Sequence, residues 1–175
     1  VAVVVMIVAT GTTRLSEALA SPVWQDHGAL TTTVAALVAI AGFTKAAQFP
    51  FHPWLPDAMA ASTPVSAYLH AAAVVKAGIY LMLRFSEAFS AVPVWNVMLV
   101  TVGLYTSAMA ALFALNQTDL KRLMAYSTVS QLGLITAAIG IGTPKALTAA
   151  VIHTIAHALF KSGLFMMVGV IDHQA

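Results

Sequence analysis

Three basic side chains recur at intervals of four residues near the end of the chain: His153, His157 and Lys161. Each step of four turns an α-helix by about 400°, so the three predict a slightly slanted stripe along one helix face. Histidine titrates near neutral pH and passes protons in either direction. A buried lysine does the same when its surroundings favour the neutral amine. The spacing therefore predicts a proton relay.

Two other interpretations of this stripe are less favourable. A single histidine in a helix is more often a core residue with satisfied hydrogen bonds, but two in register with a lysine are harder to explain in that way. His153 and His157 have the spacing of two metal ligands on one helix face, yet no carboxylate is nearby and the glutamate of an H-E-x-x-H motif is missing. We therefore expect neither a metal site nor a cofactor.

Two more lysines, Lys45 and Lys76, interrupt long apolar runs. A lysine at the centre of a membrane helix costs about 2.5–3.5 kcal/mol, so such residues face a protein interior or a hydrated cavity. Lys76 lies near the middle of its run, too far from either end to reach the interface. His70 lies six residues earlier, about 120° away round a helix, and is expected to face the same cavity. We predict that all three belong to a proton path.

Three prolines within seven residues, Pro50, Pro53 and Pro56, follow Lys45. They cannot lie in one regular helix, because each removes a backbone donor and clashes with the preceding turn. A broken helix is tolerated at membrane depth only inside protein or beside water, and transporters place binding sites at such interruptions. Position alone would let Lys45 reach the interface, but the break favours a hinge beside a titrating lysine.

A second group of polar residues interrupts the run from 120 to 141. Hydroxyl and amide side chains there either hold a chain of water molecules or make hydrogen bonds between helices, and the sequence leaves both roles open. These residues are Ser127, Thr128, Ser130 and Gln131.

The elements that position these residues follow from the composition. Of the 175 residues, 60% are hydrophobic and 8% are charged, against roughly 25% charged in soluble domains. The mean hydropathy is +0.89, which indicates a lipid environment. We predict an all-α, polytopic transmembrane helical bundle with about five full spans, a partial one at residues 1–10, and one helix broken by prolines. The expected spans are 29–49, 64–85, 94–115, 120–141 and 145–171.

Several classes of protein are excluded or disfavoured. The absence of cysteine excludes disulfides and thiolate metal sites, and a net charge of +2 is too small to suggest nucleic acid as a partner. The chain begins and ends within or directly after apolar runs. We expect it to be a fragment of a longer protein in which residues 1–175 form part of one transmembrane domain, without a separate soluble domain.

Three long stretches resemble a known family. They are FTKAAQFPFHPWLPDAMAASTPVSAYLHAAAVVKAGIY, QTDLKRLMAYSTVSQLG and HTIAHALFKSGLFMMVGVIDHQ. They are similar to the antiporter-like subunits shared by respiratory complex I, membrane-bound hydrogenases and Mrp cation/proton antiporters. The VKAGIYL and VIDHQ segments look most like the large A-type subunit of Mrp antiporters.

The resemblance implies a hydrated file of charged residues along the membrane midplane. Lys45 would match the lysine of the first broken helix, which takes up and releases a proton. His70 and Lys76 would connect it to the stripe on the last helix, which leads towards the exit. The glutamate that pairs with Lys45 is expected before Val1, and the lysine of a second broken helix after Ala175. The residues present are therefore not expected to transport by themselves.

The resemblance also implies partners and a location. We expect other membrane subunits of a hetero-oligomeric complex, H⁺ and Na⁺ as the ions, the lipid bilayer of a prokaryotic plasma membrane, and no nucleic acid. The favoured function is a transporter subunit of a Na⁺(cation)/H⁺ antiporter. The alternative is a proton-pumping membrane subunit of NADH–quinone oxidoreductase or a related hydrogenase. No motif for NADH, flavin or an iron–sulfur cluster occurs in the chain, so redox chemistry is not expected within it. A third interpretation, a purely structural membrane subunit, predicts that the lysines are replaceable.

Overall fold

The computed structural model describes residues 1–26, 28–60, 63–68 and 73–174. Among these residues there are helices and short connections but no strand, which confirms the all-α class. Short 3₁₀ turns at Pro22–Asp26 and Ala58–Ala60 join some of the helices. The helices are α1 (Ala2–Thr10), α2 (Leu15–Leu19), α3 (Ala29–Lys45), α4 (Trp54–Asp57), α5 (Thr63–Ser66), α6 (Val74–Phe89), α7 (Pro93–Leu115), α8 (Leu120–Ile141) and α9 (Pro144–Gln174).

Within the described residues, three helices are long and apolar enough to cross a membrane: α7, α8 and α9. The segments Ala2–Thr10 and Leu15–Asp26 pass the same test together but meet at a bend of 78°, which gives a fourth span if they count as one. Helix α3 is apolar but only 17 residues long. Within the predicted run 64–85 the structure describes α5 and α6, and residues 69–72 lie outside the described part of the chain.

The proline-rich break lies where it was predicted. Helix α3 ends at Lys45, and α4 begins four residues after Pro50. The Trp54 indole N–H donates to the Thr44 carbonyl at 3.1 Å, so a side chain satisfies one of the carbonyls left free at the end of α3. The backbone N–H of Phe49 donates to the Thr106 hydroxyl at 3.0 Å, which fastens the break to α7.

Helix α8 has defined signals at both ends. Its first turn is capped by Asp119, whose carboxylate accepts from the Arg122 backbone N–H at 3.0 Å. It ends at Gly142, whose φ of 70° suits glycine at the end of a helix. Pro144 then begins α9, where the missing backbone donor is not needed. The two-residue connection makes α8 and α9 antiparallel neighbours.

Helices α7 and α8 approach each other through glycine. A Cβ on Gly103 would lie 2.6 Å from the Ala137 backbone nitrogen, and a Cβ on Gly133 would lie 2.6 Å from the Gly103 carbonyl oxygen. Only hydrogen fits at these two positions, so the backbones touch, as in membrane helix pairs that associate through small residues. The Ser130 hydroxyl also donates to the Ser107 carbonyl at 3.0 Å.

The buried apolar side chains form two groups. The larger group joins α3, α6, α7 and α8 around Phe89, Trp95 and Leu99. The smaller one lies against α8 and α9, beside the segment that follows the proline break. We call it the Phe165 cluster; its members are Met59, Ala67, Met124, Ala125, Phe165 and Val168.

Candidate functional site: a buried basic file between α6, α8 and α9

The facing sides of α8 and α9 carry polar residues in matching order. Nε2 of His153 lies 2.8 Å from Oε1 of Gln131. Two helical turns further along α9, the Lys161 amine donates to the Ser127 hydroxyl at 2.8 Å. Because the helices are antiparallel, residue numbers increase along α9 in the direction in which they decrease along α8. The predicted stripe on α9 is therefore present, and two polar residues of α8 are hydrogen-bonded to it.

Lys161 is almost completely buried, with 2% of its surface exposed. Its amine also donates to the carbonyl oxygen of Met124 at 3.3 Å. Both acceptors are uncharged, and no salt bridge joins Lys161 to a carboxylate within the described residues. The site thus holds the amine by neutral dipoles.

His157 is the central residue of the stripe and has no exposed surface. Its ring lies 6.5 Å from the ring of His153 and 5.3 Å from the ring of Phe160. Neither ring nitrogen has a hydrogen-bond partner within the described part of the chain. Leaving a buried polar group unpaired costs about 1–3 kcal/mol, so this arrangement is unfavourable for stability and points to a functional role.

The position of His157 along α9 is equally informative. It lies within one residue of the midpoint of the apolar span Pro144–Asp172. A polar side chain at this depth is farthest from both aqueous phases and cannot reach either interface. His157 therefore lies near the middle of this apolar span.

Lys76 enters the same region from α6. Its amine nitrogen is buried and has no hydrogen-bond partner among the described residues. Lys76, His153 and Lys161 all lie within electrostatic range of the His157 ring. Three helices thus bring four basic groups together, and the described residues supply no carboxylate to any of them. Nor do three His, Asp or Glu side chains of the described residues converge as ligands for one metal ion.

Known proteins share this arrangement of helices. The family described as "NADH:quinone oxidoreductase/Mrp antiporter, TM" matches residues 1–175. The chain belongs to this family. It is 49% identical over 149 residues to the first (A-type) subunit of a Na⁺/H⁺ antiporter of Bacillus subtilis, covering 79% of this chain and 19% of that protein. It is 52% identical over 143 residues to the A/B-type subunit of a probable K⁺/H⁺ antiporter of Rhizobium meliloti, covering 82% of this chain and 14% of that protein.

Two solved structures have the same fold. A chain of the Mrp complex from Dietzia sp. matches 99% of this chain with a TM-score of 0.97 and 64% identity, over 19% of its own length. A chain of the membrane-bound sulfane sulfur reductase, an archaeal respiratory membrane complex, matches 97% with a TM-score of 0.85 and 33% identity, over 35% of its length. The chain therefore spans about a fifth of the antiporter subunits that it matches. The resemblance to the antiporter-like family is confirmed, and with it a membrane location.

Not every predicted path residue joins the file in this part of the antiporter-like chain. Lys45, the last residue of α3, is exposed, and no described residue makes a hydrogen bond or ion pair with it. Its part in the proton path remains a prediction. His70 lies outside the described residues. Pro50 lies in the turn, Pro53 precedes α4 and Pro56 lies within it; their role as a hinge remains a prediction.

The four polar residues of α8 divide into two kinds. Ser127 and Gln131 face α9 and contact Lys161 and His153. Ser130 faces α7 and joins the two helices, whereas the Thr128 hydroxyl donates to the Met124 carbonyl within α8 at 2.9 Å. Both roles left open by the sequence are thus represented. The carbonyl of Met124 is a contact that residue types do not reveal, because any residue has one.

Proposed function

We propose that this chain carries part of the proton path of the A-type subunit of a multisubunit cation/proton antiporter, in the plasma membrane of a prokaryote. The observation that carries the proposal is the fully buried His157 at the middle of α9, which has no hydrogen-bond partner among the described residues and lies within electrostatic range of Lys76 and Lys161. The family membership and the 64% identity to a chain of an Mrp complex support it. Other membrane subunits would complete the complex.

The proposed movement of protons follows from the charges. Lys76, His153, His157 and Lys161 all become positive when protonated, and like charges repel strongly where water is scarce. A proton that arrives at Lys76 therefore favours loss of a proton from its neighbours. His157 can accept at one ring nitrogen and release from the other, so it can pass a proton between Lys76 and the α9 stripe. Gln131 orients His153, and Ser127 holds the Lys161 amine in place.

The coupling ion is a further part of the proposal. The relatives include both a Na⁺/H⁺ and a probable K⁺/H⁺ antiporter, and we propose Na⁺ as the exchanged cation. The alternative function is a proton-pumping membrane subunit of a redox complex. The family description and the 33% identity to a chain of a respiratory complex favour that alternative, but less strongly than the higher identity favours the antiporter.

The test uses inverted membrane vesicles that contain the full-length protein in its complex. A pH gradient is imposed, and proton efflux is followed after addition of Na⁺, K⁺ or NADH. We expect Na⁺ to dissipate the gradient, and we expect Lys76→Ala to abolish that response. A gradient generated by NADH in these vesicles, together with no response to either cation, would favour the redox alternative. Unchanged Na⁺-driven efflux in Lys76→Ala would remove Lys76 from the path.

A further inference from the structure

One end of the file is separated from water by apolar side chains. Where α8 begins and α9 ends, the Lys121 amine and the Asp172 carboxylate form a salt bridge of 2.6 Å. A cavity of about 340 Å³ surrounds them and is lined also by Thr118 and Asp119. Asp172 is 60% exposed at its side chain. These charged and exposed groups mark a place that water reaches.

The path from this cavity to the file follows one face of α9. On α9 the positions inward from Asp172 are Val168, Phe165 and Lys161, spaced by four, three and four residues along about 16 Å of helix. On α8, Met124 and Ser127 lie inward from Lys121, and the Met124 carbonyl and the Ser127 hydroxyl both accept from the Lys161 amine. The two charged sites, Lys161 and the salt bridge, thus lie on one seam.

The Phe165 cluster occupies the interval between them. Val168 borders the cavity, so the cluster reaches the end of the interval at the salt bridge. The Met124 carbonyl accepts from the Lys161 amine, so the cluster also reaches the end at the file. Phe165 has no exposed surface. A proton cannot cross apolar side chains without water or polar groups, and narrow apolar constrictions close pores by excluding water.

We propose that the Phe165 cluster is a hydrophobic gate that controls proton exchange between Lys161 and the cavity at Lys121 and Asp172. The Phe165 ring closes the passage in this structure, and its displacement admits water. This inference rests on the proposed function, because a gate has a purpose only if Lys161 exchanges protons. Such a gate would keep the file from leaking protons down their gradient between cycles.

The first experiment measures access by water directly. The 175 residues contain no cysteine, so Ser127→Cys provides a single reporter on the file side of the gate once any cysteines elsewhere in the protein are replaced. Full-length protein in membrane vesicles is treated from either face with a charged, water-soluble methanethiosulfonate reagent. Thr118→Cys, on the cavity side, is the reference for a position that the reagent always reaches.

We expect slow labelling of the Ser127→Cys variant from both faces when the gate is unchanged. Adding Phe165→Ala should raise the rate about tenfold from the face bearing Asp172, equivalent to lowering the barrier by about 1.4 kcal/mol. Leu164→Ala is the matched control, because this neighbouring side chain on α9 is exposed and lies outside the cluster. Fast labelling without the Phe165 change, or no acceleration with it, would overturn the gate.

A milder substitution covers the case in which Phe165→Ala does not fold. Val168→Ala removes less volume and should raise the labelling rate by a smaller factor from the same face. A second readout is passive proton leak across vesicles without Na⁺, which Phe165→Ala should increase and Lys161→Met should reverse. Labelling depends on water and not on transport, so failure of the gate is distinguishable from failure of the proposed proton path.

Discussion

The two faces of α8 differ in what they are built to do. The face against α7 is packed through Gly103 and Gly133, with backbones in contact and a serine hydrogen bond across the seam. The face against α9 instead carries Ser127 and Gln131, which contact the basic stripe. The close seam on one side fixes α8 in position, so that the polar seam on the other side can tolerate buried and unpaired charge-bearing groups. Rigidity and chemistry are thus assigned to two different faces of one helix.

The largest effect should come from removing the charge on the polar seam. In the full-length complex, Lys161→Met keeps the length of the buried side chain but removes the titrating amine, so Na⁺-driven proton efflux should fall to the level of vesicles without the complex. Lys145→Met is the control, since Lys145 lies on the same helix but is exposed. Efflux that survives Lys161→Met would mean that the polar seam does not conduct protons.

His157→Leu should separate transport from stability. The leucine cannot relay a proton, so transport should be lost. The buried ring nitrogens, which have no hydrogen-bond partner among the described residues, would disappear, and the protein should become more stable by about 1–3 kcal/mol. Thermal unfolding of the purified complex in detergent, with transport measured in parallel, checks both changes. A loss of stability would show that the imidazole makes favourable interactions in the complete protein.

A substitution at the contact between α7 and α8 should lower stability and leave transport unchanged. In Gly133→Ala the new Cβ would lie within 2.7 Å of backbone atoms of α7, so the helices must separate, at a cost of about 1–3 kcal/mol. Transport per folded complex should remain. Gly163→Ala on α9 is the control, because nothing lies within 4 Å of its added Cβ. If both glycine substitutions lower the unfolding temperature equally, the contact between α7 and α8 is not what stabilises α8.

The smallest effects are expected from substituting two serines that lie three residues apart on α8. Ser130→Ala removes the hydrogen bond to α7 and should cost about 0.6 kcal/mol, the average for hydrogen bonds between membrane helices, with transport unchanged. Ser127→Ala removes a hydrogen bond of similar kind to the Lys161 amine and should slow transport. Unfolding temperature and initial efflux rate are measured for both variants. Equal transport in the two would contradict a positioning role for Ser127.

Periodicity predicted the stripe at His153, His157 and Lys161, because helical phase depends only on spacing. It also singled out the polar residues of α8. It did not predict that Gln131 binds His153 or that Ser127 binds Lys161, since those pairs depend on the register between two helices, which no local pattern encodes.

Other features had weaker signals in the sequence. The prolines located the break after Lys45, but they did not reveal that α3 ends with that side chain exposed. Phe165 carried no signal at all, because one more apolar residue in an apolar run looks like any other. Its significance arises only from the two charged sites on either side of it.

The orientation of the stripe along α9 has an electrical consequence. His153 and Lys161 are eight residues apart, so a proton passed from one to the other travels about 12 Å along the helix axis. With α9 upright in a hydrocarbon layer about 30 Å thick, that is up to about 40% of the layer. A membrane potential of 100 mV changes the free energy of moving one charge across the full layer by about 2.3 kcal/mol. The free energy of this one step therefore changes by up to about 0.9 kcal/mol. The proposed proton movement along α9 would therefore be electrogenic, and the occupancy of Lys161 should vary with the membrane potential.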